Sequence, residues 1–188
     1  MKKFFHDYSY SAIKLFVTQI ALSIFGIALY TATFFELETL CLILSIFAVA
    51  FYLFLIYLPV WEIGAKDRIS VDVGKKPYRP HTGLLIGLCA NIPNLLLAIF
   101  SIFSHEVVIT IAKLIQGMYW GLISMIRLPI DAKYVPISSF VITYFIIIIP
   151  ALLTCWMAYY LGHRNFKISS LFTPEKNEKK AEAPKIKK

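Results

Sequence analysis

Charge is scarce in this chain, at 16% of 188 residues, and cysteine is limited to three scattered positions. Cys41, Cys89 and Cys155 each fall inside or at the end of an apolar run, with no CxxC pair and no neighbouring histidine. That spacing excludes a disulfide-stapled secreted module and suits small packing residues. Also missing are HExxH, GxSxG and a GxxxxGK loop followed by Ser or Thr, and no apolar run holds a pair of carboxylates. Without those arrangements no common hydrolytic or phosphate-handling site can be assembled, so the expectation is a protein that is not an enzyme and has no cofactor.

What fills the chain instead is hydrophobic: 59% of the residues, with a mean hydropathy of +0.70. A soluble domain or a disordered chain does not tolerate that composition, whereas an integral membrane protein requires it. The formal net charge of +8 would raise nucleic acid in a soluble protein. Here the basic residues cluster outside the apolar runs, so charge reads as membrane topology and no nucleic-acid partner is expected.

A hydrocarbon core about 30 Å thick needs roughly 20 helical residues. Charge-free runs of that length occur at 15–35, 39–61, 83–103 and 135–162, the last with four consecutive isoleucines before Pro150. The first is too long for a signal-peptide core and lacks a small-x-small cleavage pattern, so it is expected to be retained as a span. A fifth stretch, 107–126, is long enough but contains Lys113, and Lys113, Gln116, Gly117, Gly121 and Ser124 recur at intervals that mark one helical face. The expected fold class is therefore an all-α integral membrane protein, a small bundle of four transmembrane helices plus one amphipathic or re-entrant helix, with five transmembrane helices as the alternative.

Basic residues separate these arrangements. With a cytoplasmic N-terminus and four spans, the cytoplasm receives three lysines before the first span, five basic residues at 62–82 and eight after Gly162, sixteen of nineteen. Five spans would put the eight tail charges outside. The positive-inside bias favours the first, giving a multi-pass cell-membrane protein with both termini cytoplasmic and the turn at 36–38 outside. Residues 1–162 form the membrane domain and 163–188 a basic cytoplasmic tail; from 174 onward, Lys, Glu, Ala and Pro dominate and the tail is expected to be disordered.

Two places invite a functional reading. In the third span Asn91 and Asn94 flank Pro93, which has no N–H and clashes with the carbonyl four residues back. Freed carbonyls and two amides could hold a cation or polar solute, with Lys113 and Gln116 lining the same path; equally, the amides could bond neighbouring helices and Lys113 could reach headgroups. The second place is the 62–82 segment, expected as a cytoplasmic loop, with Trp61 as interface anchor and Gly64 ending the helix. Residues 68–73 alternate apolar and polar, which predicts a short strand before the Gly74 turn. Glu62, Lys66, Asp67, Arg68, Asp72, Lys75 and Lys76 mix both signs, which suits contact with anionic headgroups or with a membrane or cytoplasmic protein partner. His6, His81, His105 and His163 lie near span boundaries without ligand spacing, so no metal is expected.

These features support a non-enzymatic accessory, assembly or regulatory subunit of a membrane complex, docking through 62–82. The competing class is a small transporter or channel component with a polar path at the kinked third span.

Overall fold

Residues 2–33, 38–103, 105–130 and 133–166 are described by a computed structural model. The expected outer turn at 36–38, the Lys113 side chain and the tail beyond 166 fall wholly or mostly outside the described residues. The chain is mostly helical: α1 (Lys2–Thr33), α2 (Glu38–Asp72), α3 (Thr82–Ala90), α4 (Ile92–Phe103), α5 (His105–Ile115), α6 (Gly117–Met125), a two-stranded antiparallel hairpin of β1 (Arg127–Ile130) and β2 (Lys133–Pro136), then α7 (Val141–Ile146) and α8 (Ile148–His163). Three helical stretches are long and apolar enough to cross a membrane, Asp7–Ala32, Thr39–Asp72 and Val141–His163. The pair α3 and α4, bent by 57°, makes a fourth if counted as one span.

The exterior is as apolar as the interior. Ile24, Ile43, Phe47, Phe54, Ile102 and Phe103 are all exposed, which a soluble bundle cannot sustain and hydrocarbon solvates freely. Inside, the tightest packing is between α2 and α8. On α2 the inward positions recur every fourth residue, Ala48, Tyr52, Ile56, Val60 and Gly64; on α8 they are Ala151, Cys155, Ala158, Tyr159 and Gly162. Small residues let the two backbones touch: a Cβ on Gly64 would lie 2.3 Å from the Tyr159 carbonyl oxygen, and one on Gly162 would lie 2.1 Å from that of Trp61. Gly83 and Gly87 bring α3 onto the same face of α8 at Cys155 and Tyr159.

Several expectations are corrected. The 68–73 segment is not a strand, and Gly64 does not end the helix: α2 runs on to Asp72. The apparent alternation places Ile69 and Val73 four residues apart on one exposed side, a helical spacing, while ion pairs one turn apart, Glu62 with Lys66 at 3.9 Å and Arg68 with Asp72 at 3.6 Å, support the extension. Of the expected loop, only the stretch after Asp72 is irregular, and it turns at Gly74, whose φ is +75°. The fourth span begins at Val141, not at 135. Residues 133–139 are spent on β2 and a single 3-10 turn, and the Ile137 amide donates to the Ile126 carbonyl to close the hairpin. That span is interrupted at Ile147, because Pro150 cannot donate to, and clashes with, the carbonyl of Ile146. Finally, 107–126 is not one helix but two, broken at Gln116.

Candidate functional site at the Lys2 end of the bundle

The two asparagines of the kinked segment are brought together. The chain breaks at Asn91, midway between Pro93 and the Cys89 carbonyl with which a continuous helix would make it clash. Asn91 donates its side-chain N–H to the Gly87 carbonyl at 2.9 Å, and its Oδ1 accepts from Asn94 Nδ2 at 2.8 Å. Asn91 and Asn94 are 4% and 3% exposed. They thus bond each other and the bent backbone, leaving Asn94 Oδ1 buried without a hydrogen-bond partner among the described residues. Replacing Asn91 by Leu is expected to lower stability in detergent by about 1 kcal/mol, because Asn94 loses its acceptor and Gly87 one donor. A cysteine at 91 is expected to resist small water-soluble thiol reagents; rapid labelling would show water reaching the bend.

Gln116 is not part of that pair. It lies in the break between α5 and α6, 1% exposed, with neither amide atom hydrogen-bonded within the protein among the described residues. Its surroundings are α1: the Ser23 hydroxyl donates to the Ile115 carbonyl at 2.5 Å, and a Cβ on Gly117 would meet the Ser23 carbonyl at 2.4 Å. The face that Gln116, Gly117 and Gly121 share is thus a close-packing face against α1 and α2, where Gly121 abuts Ser45.

The polar residues that the fold does gather sit where α1 begins and where α2 and α8 end. Asp67 points inward from α2 and is 8% exposed. Its Oδ2 accepts from the Tyr8 hydroxyl at 2.5 Å and from the Tyr159 hydroxyl at 3.1 Å. Its other oxygen lies 3.7 Å from Lys76 Nζ, which also pairs with Asp7 at 2.9 Å and sits 5.2 Å from the centre of the Tyr8 ring. The hydrogen bond to Asp7 raises the Lys76 pKa above its ordinary 10.5, against an opposing effect of burial. The start of α1, the end of α2 with the turn after it, and α8 are thus tied through one carboxylate.

These groups border a cavity of about 420 Å³ that Lys75, Pro77 and Arg79 of the 73–81 turn also line. Of the segment-62–82 candidates, Asp67, Lys75 and Lys76 line it, whereas Glu62, Lys66, Arg68 and Asp72 face outward in pairs. Trp61 anchors the following chain, donating from Nε1 to the Phe166 carbonyl at 2.8 Å. Asp7, Tyr8, Thr82 and Tyr159 were missed by the sequence reading. The four-span expectation puts the start of the first span, the 62–82 segment and the end of the last span on one side, and that consequence was the available signal.

No protein-family model matches the chain, and no characterised protein or solved structure is significantly similar to it. Among the described residues, no three His, Cys, Asp or Glu side chains gather as metal ligands would.

Proposed function

We propose that this multi-pass membrane protein acts, without catalysing a reaction, as a small accessory, assembly or regulatory subunit of a membrane complex, and that the outward side of residues 62–82 is its docking surface. The observation that carries this reading is the rigid extension of α2. Asp67 fastens it from inside, while Glu62, Lys66 and Asp72 are presented outward with both signs of charge. A fixed, mixed-charge surface costs little entropy to engage and selects a partner by complementarity.

In this reading the chain crosses four times, with the Lys2 end and residues 62–82 in the cytoplasm, following the positive-inside distribution. The break at Gln116 supports a re-entrant α5–α6 segment. Ile115 lies beside Ser23, midway along α1, whereas Gly121 abuts Ser45 and Tyr30, nearer the α1–α2 connection. So α6 heads back toward that far end.

The test is co-purification of the tagged protein from its own membranes. Reversing charge at Lys66 and Arg68 is expected to lose a partner that remains bound when residues 174–188 are deleted. Retention by the reversal variant combined with loss on tail deletion would move recognition to the tail; indifference to both would place it on the helices.

A transporter or channel component is the second reading, and the Gln116 amide favours it, since a buried amide without a hydrogen-bond partner among the described residues suits a polar solute or water. Solvent access at Gln116→Cys together with Asn91→Cys would promote that reading over the first.

A further inference from the structure

The cavity at the Lys2 end has a second compartment beneath it. Tyr8 lines both the polar cavity and a groove of about 180 Å³ between α1 and α3–α4, whose other walls include Ala12, Ile13, Ile86, Cys89 and Ile92. The groove is almost wholly apolar, and Ile13 and Ile92 on its rim are exposed to the surroundings of the bundle. The polar compartment sits at the ends of the candidate spans: Tyr8 in the first turns of one, Asp67 near the end of the next, Thr82 opening the bent pair and Tyr159 in the last turns of the fourth. If those helices cross a bilayer, that level is the headgroup region and the groove lies alongside the acyl chains.

The charges select among headgroups. Lys75, Lys76 and Arg79 line the polar compartment together with Asp7 and Asp67. Lys76 pairs with both carboxylates, whereas Lys75 and Arg79 are exposed and have no ion pair among the described residues. The charge left unpaired along the lining among the described residues is therefore positive. Arginine and lysine there offer the geometry that phosphate oxygens require.

We propose that the cavity and groove form one binding site for a phospholipid with a net-negative headgroup, the phosphate held by Lys75 and Arg79 and one acyl chain laid between α1 and α3–α4 below Tyr8. The site goes beyond the docking function and rests only on the membrane reading. It ties α1, α3 and the 73–81 turn together through a molecule supplied by the bilayer.

The experiment uses the purified full chain in a mild non-ionic detergent, with thermal unfolding and native mass spectrometry as readouts. Phosphatidylglycerol is expected to raise the melting temperature more than phosphatidylcholine and to persist as one adduct per chain. Lys75→Gln with Arg79→Gln, both at exposed positions, is expected to leave the lipid-free melting temperature unchanged and to weaken phosphatidylglycerol binding by about tenfold or more. Cys89→Phe, which fills the groove without touching charge, is expected to reduce adduct retention as well. The proposal is overturned by equal retention of the two lipids, or by undiminished binding in either variant. It is also overturned if glycerol 3-phosphate alone stabilises the protein as much as the whole lipid, which would make the cavity a soluble-anion site. Release of the chain from membranes by a carbonate wash would instead strike the membrane reading itself.

Discussion

Alanine at Gly162 is expected to destabilise the detergent-solubilised protein by about 3 kcal/mol, at the upper end of what overpacking costs. The obstacle is backbone on backbone. The added Cβ would stand 2.1 Å from the Trp61 carbonyl oxygen and 2.9 Å from its carbon, and no rotamer change can move either atom. Relief requires α2 and α8 to separate, which loosens the contacts at Val60, Cys155 and Ala158, among the most fully buried positions in the bundle. Gly64→Ala meets the mirror situation at the Tyr159 carbonyl and is expected to behave alike. The comparison is Gly74→Ala, where φ is +75° and nothing lies within 4 Å, so the cost is backbone strain alone, about 1 kcal/mol. Unfolding each variant by heat or by titrated denaturing detergent gives the order. If Gly162→Ala proved no worse than Gly74→Ala, α2 and α8 would not be in contact at that level.

Those two glycines also mark what could and could not be read from the sequence. The 39–61 run was legible as a span because length and apolarity are local properties, and the bend in the 83–103 run was legible because proline acts on its own helix. Gly64 was misread as a helix end. A glycine that terminates a helix and one that admits a neighbouring helix look alike until the neighbour is known, and here it is α8, almost a hundred residues away. The strand expected at 68–73 failed for a related reason. Alternation over so few positions cannot exclude helix, and what decides the segment is Asp67, pulled inward by hydroxyls 59 and 92 residues distant in sequence. The hairpin of β1 and β2 was hidden because its flanks are apolar enough to extend the following run, although Pro129 and Pro136 lie within its strands. The candidate site divided along the same line. Asn91 and Asn94, one helical turn apart, lie at the bend but bond Gly87 and each other rather than the neighbouring helices that the sequence suggested, whereas the Tyr8, Asp67 and Tyr159 cluster depends on topology and was seen only through one of its members.

Removing that member is expected to have an effect as large as the glycine variants. Asp67→Ala leaves the Tyr8 and Tyr159 hydroxyls without their common acceptor and Lys76 with Asp7 alone, in a site where Asp67 itself is 8% exposed. Taking the shared acceptor from two part-buried hydroxyls costs about 1–3 kcal/mol for each group left unsatisfied, while Lys76, whose side chain is 39% exposed, stays partly solvated and adds less. Asp67→Asn keeps an acceptor oxygen but not the charge, so it is expected to fall between wild type and Asp67→Ala. Tyr159→Phe removes one hydrogen bond to a charged group, about 1.5–3 kcal/mol. In the doubly substituted Asp67→Ala, Tyr159→Phe protein the losses are expected to fall short of additive by about 0.5 kcal/mol or more, since the second change removes a hydroxyl that has already lost its carboxylate acceptor. The pH dependence has a definite sign. Lys76 gains its raised pKa on folding, so its contribution is fully present below the ordinary lysine value of 10.5 and is lost as pH climbs through the raised one. Asp7→Asn removes the main cause of that shift, so the contribution belonging to Lys76 should be smaller and its alkaline loss complete at lower pH. Strict additivity of Asp67→Ala and Tyr159→Phe would mean that the carboxylate does not join α2 to α8, and the fixed α2 extension on which the docking reading depends would lose its anchor.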